Sequence, residues 1–164
     1  MRGIEIVTWR GVTDPQSDLD ALVEGFFNDQ KAGAAEGRRA RMEGRPWVVG
    51  PDVPADHDGR LFDWLTEMLN YGPPDGPELA WPVILELIRR APDEETLTYI
   101  GSGALEDLAN TAGDRFADRI AAENRDERFR ASLRHVWFHP DVPESIRVIV
   151  LAAREEIGWT TPPS

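Results

Sequence analysis

Apolar residues recur at helical spacing along most of this chain, separated by clusters of turn residues. Asp14-Pro15 marks a turn, Ser17 and Asp20 form a capping pair, and Leu19, Leu22, Val23, Phe26 and Phe27 continue one face. The pattern dissolves in KAGAAEGRRA, and Pro46, Gly50, Pro51 and Pro54 punctuate a long loop over 38–59. A second helix is predicted from about Asp58 to Tyr71, with Leu61, Phe62, Leu65, Met68 and Leu69 as its stripe and Trp64 beside it. YGPPDGP ends it, because proline lacks an amide proton and fixes φ.

From Glu78 the helices become short. Leu79–Arg90 carries Trp81, Ile84, Leu85, Leu87 and Ile88, and Asp93–Ile100 follows. After Gly101-Ser102-Gly103, Ala104–Thr111 is predicted to stop at Gly113, with Asp114 capping a further helix that holds Phe116 and Ile120. Asp126 opens the next, with Phe129, Leu133, Val136 and Trp137. In the turn HPDVPES, Asp141 and Glu144 form a capping pair with Pro143 in the first turn, and Ile146–Ile157 closes the series.

Helices this short are marginal alone, so their stripes must bury against neighbours, and short connections make consecutive helices antiparallel. The expected fold class is all-α: stacked antiparallel helical hairpins, either α-solenoid-like or an irregular bundle. Ile4–Trp9 and Pro46–Gly50 are the β-rich runs that could add a small N-terminal ribbon. The expected organisation is a single domain over 1–164. It comprises an extension (1–16), N-terminal helices with the long loop (17–77) and a helical-hairpin body (78–158).

The stretch TYIGSGALEDLA, Thr98–Ala109, admits three readings. A phosphate cradle needs a preceding strand, more glycines and usually a lysine; here the preceding pattern is helical and two carboxylates follow. A catalytic corner lacks its partners. A bend between helices needs only Gly101 in a left-handed conformation and Ser102 or Gly103 as the next cap, with Glu106 reaching back to the cap and Asp107 at the positive end of the dipole.

That segment, with a second one, resembles an uncharacterised bacterial family catalogued as a domain of unknown function. The first motif is G-x-G-x-L-E-[DE]-L, here Gly101, Gly103, Leu105, Glu106, Asp107 and Leu108; the second is R-F-x-x-x-L-x-x-x-W, here Arg128, Phe129, Leu133 and Trp137. The resemblance covers roughly Trp64 to Trp137, with Ala104 where the family pattern has proline. It implies an all-helical fold and carries no activity across.

Composition narrows the function classes. Without cysteine there are no disulfides and no thiolate metal sites. No run of 18 apolar residues is present, and the start does not read as a signal peptide, so a cytoplasmic protein is expected. The net charge is −12, spread evenly along the chain, which disfavours nucleic acid and anionic membranes and suits a basic partner, or solubility alone. Arg38, Arg39, Arg41 and Arg45 read as a solvated loop following a helix.

His135 and His139 are four apart, the spacing of two metal ligands on one helical face, although Pro140 follows at once and no H-E-x-x-H pattern is present. Serine, histidine and acid do not fall into a nucleophilic arrangement, and no cofactor motif is found. Trp64, Trp81 and Trp137 are expected in the core. Trp9, Trp47 and Trp159 are candidate partner anchors, with Glu106 and Asp107 as candidate acidic contacts. The expected function is a non-enzymatic, acidic protein-binding module, in its narrower form an immunity or antitoxin-like protein. The alternatives are a structural or regulatory homo-oligomeric subunit, such as a homodimer, and a metal-dependent hydrolase using His135 and His139.

Overall fold

The computed structural model describes residues 15–44 and 60–155. Every regular element among them is helical: α1 (Pro15–Met42), α2 (Arg60–Asn70), α3 (Gly76–Arg90), α4 (Glu94–Ile100), a π turn (Gly101–Leu105), α5 (Glu106–Glu123), α6 (Glu127–Leu133) and α7 (Glu144–Glu155). The fold is all-α. The chain divides into two compact units, Met1–Trp64 and Leu65–Ser164, with the boundary inside α2. The ribbon expected for Ile4–Trp9 and Pro46–Gly50 lies outside the described residues, as do the side chains of Leu22 and Phe62.

In the first unit, Leu19, Val23 and Phe26 are buried as their spacing predicts, and Phe26 meets Phe27 edge to face at 5.7 Å. The helix does not dissolve where the loop was expected at 38; it continues to Met42. Gly33 and Gly37 each cost about 1 kcal/mol relative to alanine without ending it. Arg39 and Arg41, in the last turn, suit the negative end of the dipole.

In the second unit, α3 packs on α4 and α6, α4 on α6, and α5 on α7. Pro77 stands in the first turn of α3, where a missing amide proton costs nothing, so the helix starts ahead of the predicted Leu79. Trp81 lies 5.5 Å from Phe116 and 6.0 Å from Phe129, joining α3 to α5 and α6. Ile84, Leu87, Ile100, Leu105, Leu108, Ile120, Leu133 and Ile146 fill the rest of the core. Asp93 and Asp126 cap α4 and α6, accepting from Thr96 N–H at 2.8 Å and Phe129 N–H at 2.9 Å.

Two predicted breaks are absent. Gly101 has φ −63° and ψ −49°, so it does not end α4 in a left-handed conformation, and the backbone stays helical from α4 through the π turn into α5. Its lack of a side chain serves contact instead. A Cβ there would lie 2.1 Å from the Ser132 carbonyl oxygen of α6. Beside it, Ser132 Oγ donates to the Leu97 carbonyl at 2.8 Å. Gly113 likewise sits inside α5, and Asp114 opens no new helix. A Cβ at Gly113 would come within 2.9 Å of Ile146 Cγ1 and 3.3 Å of Pro143 Cδ.

The sixth helix is shorter than predicted. It ends at Leu133, Arg134 and His135 form a turn, and Val136–His139 have no regular structure. Val136 is buried as expected, but Trp137 is 63% exposed instead of in the core.

In an exposed helix, glycine to alanine is stabilising by about 1 kcal/mol. For Gly101→Ala we expect the opposite sign, a loss of about 1–3 kcal/mol from overpacking against a backbone atom. Gly113→Ala should lose less, because the atoms it meets belong to side chains. Urea unfolding of the two variants checks both signs.

Candidate functional site

The segment 134–140 crosses between α5 and α7 and is held mainly by its backbone. Glu106 Oε2 accepts the Trp137 N–H at 2.8 Å. Asn110 makes a two-point clamp: its Nδ2 donates to the Trp137 carbonyl at 3.0 Å and its Oδ1 accepts the His139 N–H at 2.9 Å. From α7, Arg154 donates to the carbonyls of Arg134 at 2.9 Å and Val136 at 2.7 Å, and Arg147 donates to that of Pro140 at 3.0 Å. Arg134 answers by donating to the Ala153 carbonyl at 2.9 Å. The backbone is thereby occupied and the side chain of Trp137 is presented outward.

Cations of α7 lie beside the rings of Trp137 and Phe138. The Arg154 guanidinium lies 5.5 Å from the Trp137 ring centre and 5.7 Å from that of Phe138, and Arg147 lies 5.2 Å from Phe138. Arg154 itself is only 6% exposed, and burial lowers its pKa. It follows Ile146, Val150 and Ala153 on the buried stripe of α7. An arginine standing in an apolar stripe was the signal in the sequence for this contact.

The acidic pair has roles other than capping. With no break before α5, Glu106 and Asp107 lie within continuous helical backbone, so neither occupies a free helix start. Glu106 holds Trp137, and Asp107 Oδ2 accepts from Asn70 Nδ2 at 3.1 Å. Tyr71, the next residue after Asn70, is 81% exposed. The two carboxylates therefore sit where two exposed aromatic residues approach by their backbone or by a neighbour. Burial raises the Glu106 carboxyl above its ordinary value against the Trp137 N–H; Asp107 adds to the rise and His139 opposes it.

The two histidines do not share a helical face, because α6 stops before both of them. His135 is half-buried, with Nε2 3.2 Å from Thr98 Oγ1, whereas His139 is exposed and only its backbone is bonded to Asn110. Among the described residues no three His, Cys, Asp or Glu side chains gather as a metal-ligand set. Trp9, Trp47 and Trp159 lie outside the described residues.

A family model described as a family of unknown function (DUF6869) matches residues 53–157. The chain belongs to DUF6869. The match extends on both sides of the Trp64–Trp137 stretch that carried the resemblance, and within it fall α2 to α7 and every residue of the Trp137 clamp. No curated protein and no solved structure gives a match. Among the described residues of this DUF6869 member, no helix is long and apolar enough to cross a membrane.

Two predictions follow from the clamp. Asn110→Ala removes three hydrogen bonds, two of them to the segment, at a half-buried site and should cost about 1–2 kcal/mol, with faster exchange at the His139 amide, read by urea unfolding and hydrogen exchange. For Glu106 the folded chain holds the proton more tightly than the unfolded one. Its support for the fold is therefore complete at low pH and is lost as pH rises from the ordinary value of 4.5 through the higher folded value. Glu106→Gln keeps an acceptor for the Trp137 N–H without that loss. It should be at least as stable as the wild type near neutral pH and show less change in urea midpoint on acidification.

Proposed function

We propose that this chain is a non-enzymatic protein-binding module that takes a basic segment of a partner at the surface formed by Trp137, Glu106 and Asp107. The observation that carries the reading is a large aromatic side chain, 63% exposed, whose backbone is tied from behind and whose ring has a buried guanidinium beside it. Tryptophan is enriched among residues that dominate binding energy, and a backbone already tied loses little entropy on contact.

Charge supports a basic partner. The chain carries −12 overall. Six arginines of the second unit direct guanidinium groups to backbone carbonyls: Arg115 to Pro74, Arg128 to Ile88 and Ala91, Arg130 to Asn124 and Arg125, together with Arg134, Arg147 and Arg154. Glu94, Glu95, Asp114, Asp118 and Asp141 remain exposed to solvent. The narrower form of this reading is an immunity or antitoxin-like protein that neutralises a basic toxin. Its support is the acidity and the exposed anchor.

Val148 on α7 is 56% exposed, an observation that favours self-association as a second reading. Light scattering on the eluting full chain separates the two: a monomer removes the homo-oligomer. For the first reading, arginine-rich and glutamate-rich peptides of equal length are titrated into the full chain by calorimetry. The basic peptide alone should bind, more weakly as salt rises, and Trp137→Ala should lower its affinity about 30-fold, the size of a strong anchor. Equal affinity for both peptides, or an unaffected Trp137→Ala variant, rules the reading out.

A further inference from the structure

We propose that His135 is an acid-sensitive release for the Arg134–Pro140 segment, so that acidification loosens the support that presents Trp137. The importance of this for partner binding rests on the function proposed above; the release itself does not.

The geometry begins at the α4–α6 crossing. The His135 N–H donates to the Ser132 carbonyl at 3.1 Å, and its Cβ is among the atoms that a side chain at Gly101 would meet. The half-buried ring faces α4, with Nε2 3.2 Å from Thr98 Oγ1. Thr98 Oγ1 donates its single proton to the Glu94 carbonyl at 2.9 Å, so towards His135 it can only accept. The neutral ring therefore carries its proton on Nε2, and a second proton must go to Nδ1.

That added charge meets a divided environment. Glu94 of α4 favours it; Arg154 of α7 and Arg134 of the same turn oppose it. The π turn contributes no ionisable group, and on α5 Glu106 and Asp107 stand further along, at Trp137 and Asn70. The opposing arginines are the two that tie the segment to α7: Arg154 through the Arg134 and Val136 carbonyls, and Arg134 through the Ala153 carbonyl. A charged imidazole thus repels the groups that secure its own segment.

Burial is the largest influence and lowers the His135 value from 6.5. The packed segment holds the neutral ring, so its stability is complete above about pH 6.5. It is lost as pH falls through that value towards the lower packed one, because the released segment takes up the proton first.

The test is amide hydrogen exchange on the full chain without any partner, at about pH 7.5 and pH 5.5, each rate divided by the intrinsic rate at that pH. Protection of the Trp137 and His139 amides should fall several-fold on acidification, with about tenfold as the ceiling for a single ring released at its ordinary value, while Leu108 and Ile120 keep theirs. The fall should follow the titration of the His135 ring itself, vanish in His135→Gln and survive in His139→Gln and Glu106→Gln. Unchanged protection at Trp137, an equal loss at Leu108 and Ile120, a fall out of step with the His135 titration, or one that persists in His135→Gln would each overturn the proposal. Should His135→Gln not fold, the wild-type titration and the core amides still decide. A failed peptide titration alongside an intact acid response would sink the function proposed above and leave the release standing.

Discussion

Two backbones approach at Gly101 more closely than any side chain would allow, and the arrangement of the second unit depends on that approach. With hydrogen in place of Cβ, the π turn rests on the Ser132 carbonyl, and Ser132 can reach the Leu97 carbonyl with its hydroxyl. This fixes where α6 lies along α4. The end of α6 then determines where His135 turns and where Trp137 emerges. A π turn widens the helix locally, and such turns recur where a helix must adjust to a neighbour or a site. Here it coincides with the contact between Gly101 and the Ser132 carbonyl of α6, and Glu106 follows it directly.

The same economy appears at Gly113. That glycine admits Ile146 and Pro143, which brings the start of α7 against α5. Once α7 is there, Arg147 and Arg154 lie within reach of the segment that joins α6 to α7. Asn110, on α5, meets that segment from the other side. The exposed tryptophan is thus a product of two close helix contacts and one irregular connection.

Much of the helical body was legible in the sequence. The stripes of α2 and α3, the presence of α7, the helix starts at Asp93 and Asp126, and the turn at YGPPDGP follow from spacing and local chemistry alone. The misreadings share a cause. Glycine marks either a chain break or a close contact, and the sequence near Gly101 and Gly113 is identical in kind under both meanings; only a neighbour distant in sequence distinguishes them, as Ser132 and Ile146 do here. Trp137 was misplaced for a related reason. Its amide and carbonyl partners, Glu106 and Asn110, are 31 and 27 residues distant, so nothing local announced that the helix would stop and turn the ring outward. Arg154 carried no expectation in the sequence, although its place in the apolar stripe of α7 was the local sign of a buried guanidinium.

The preference for arginine over lysine in this chain acquires a physical sense from its hydrogen bonds. A guanidinium offers several donors in a fixed fork, so Arg128 and Arg154 each serve two carbonyls at once. A carbonyl oxygen does not titrate, and arginine stays protonated at any ordinary pH. Ties of this kind have no carboxylate to neutralise and no ion pair for counterions to screen away. They should persist in brine, where an exposed pair such as Arg119–Glu78 weakens.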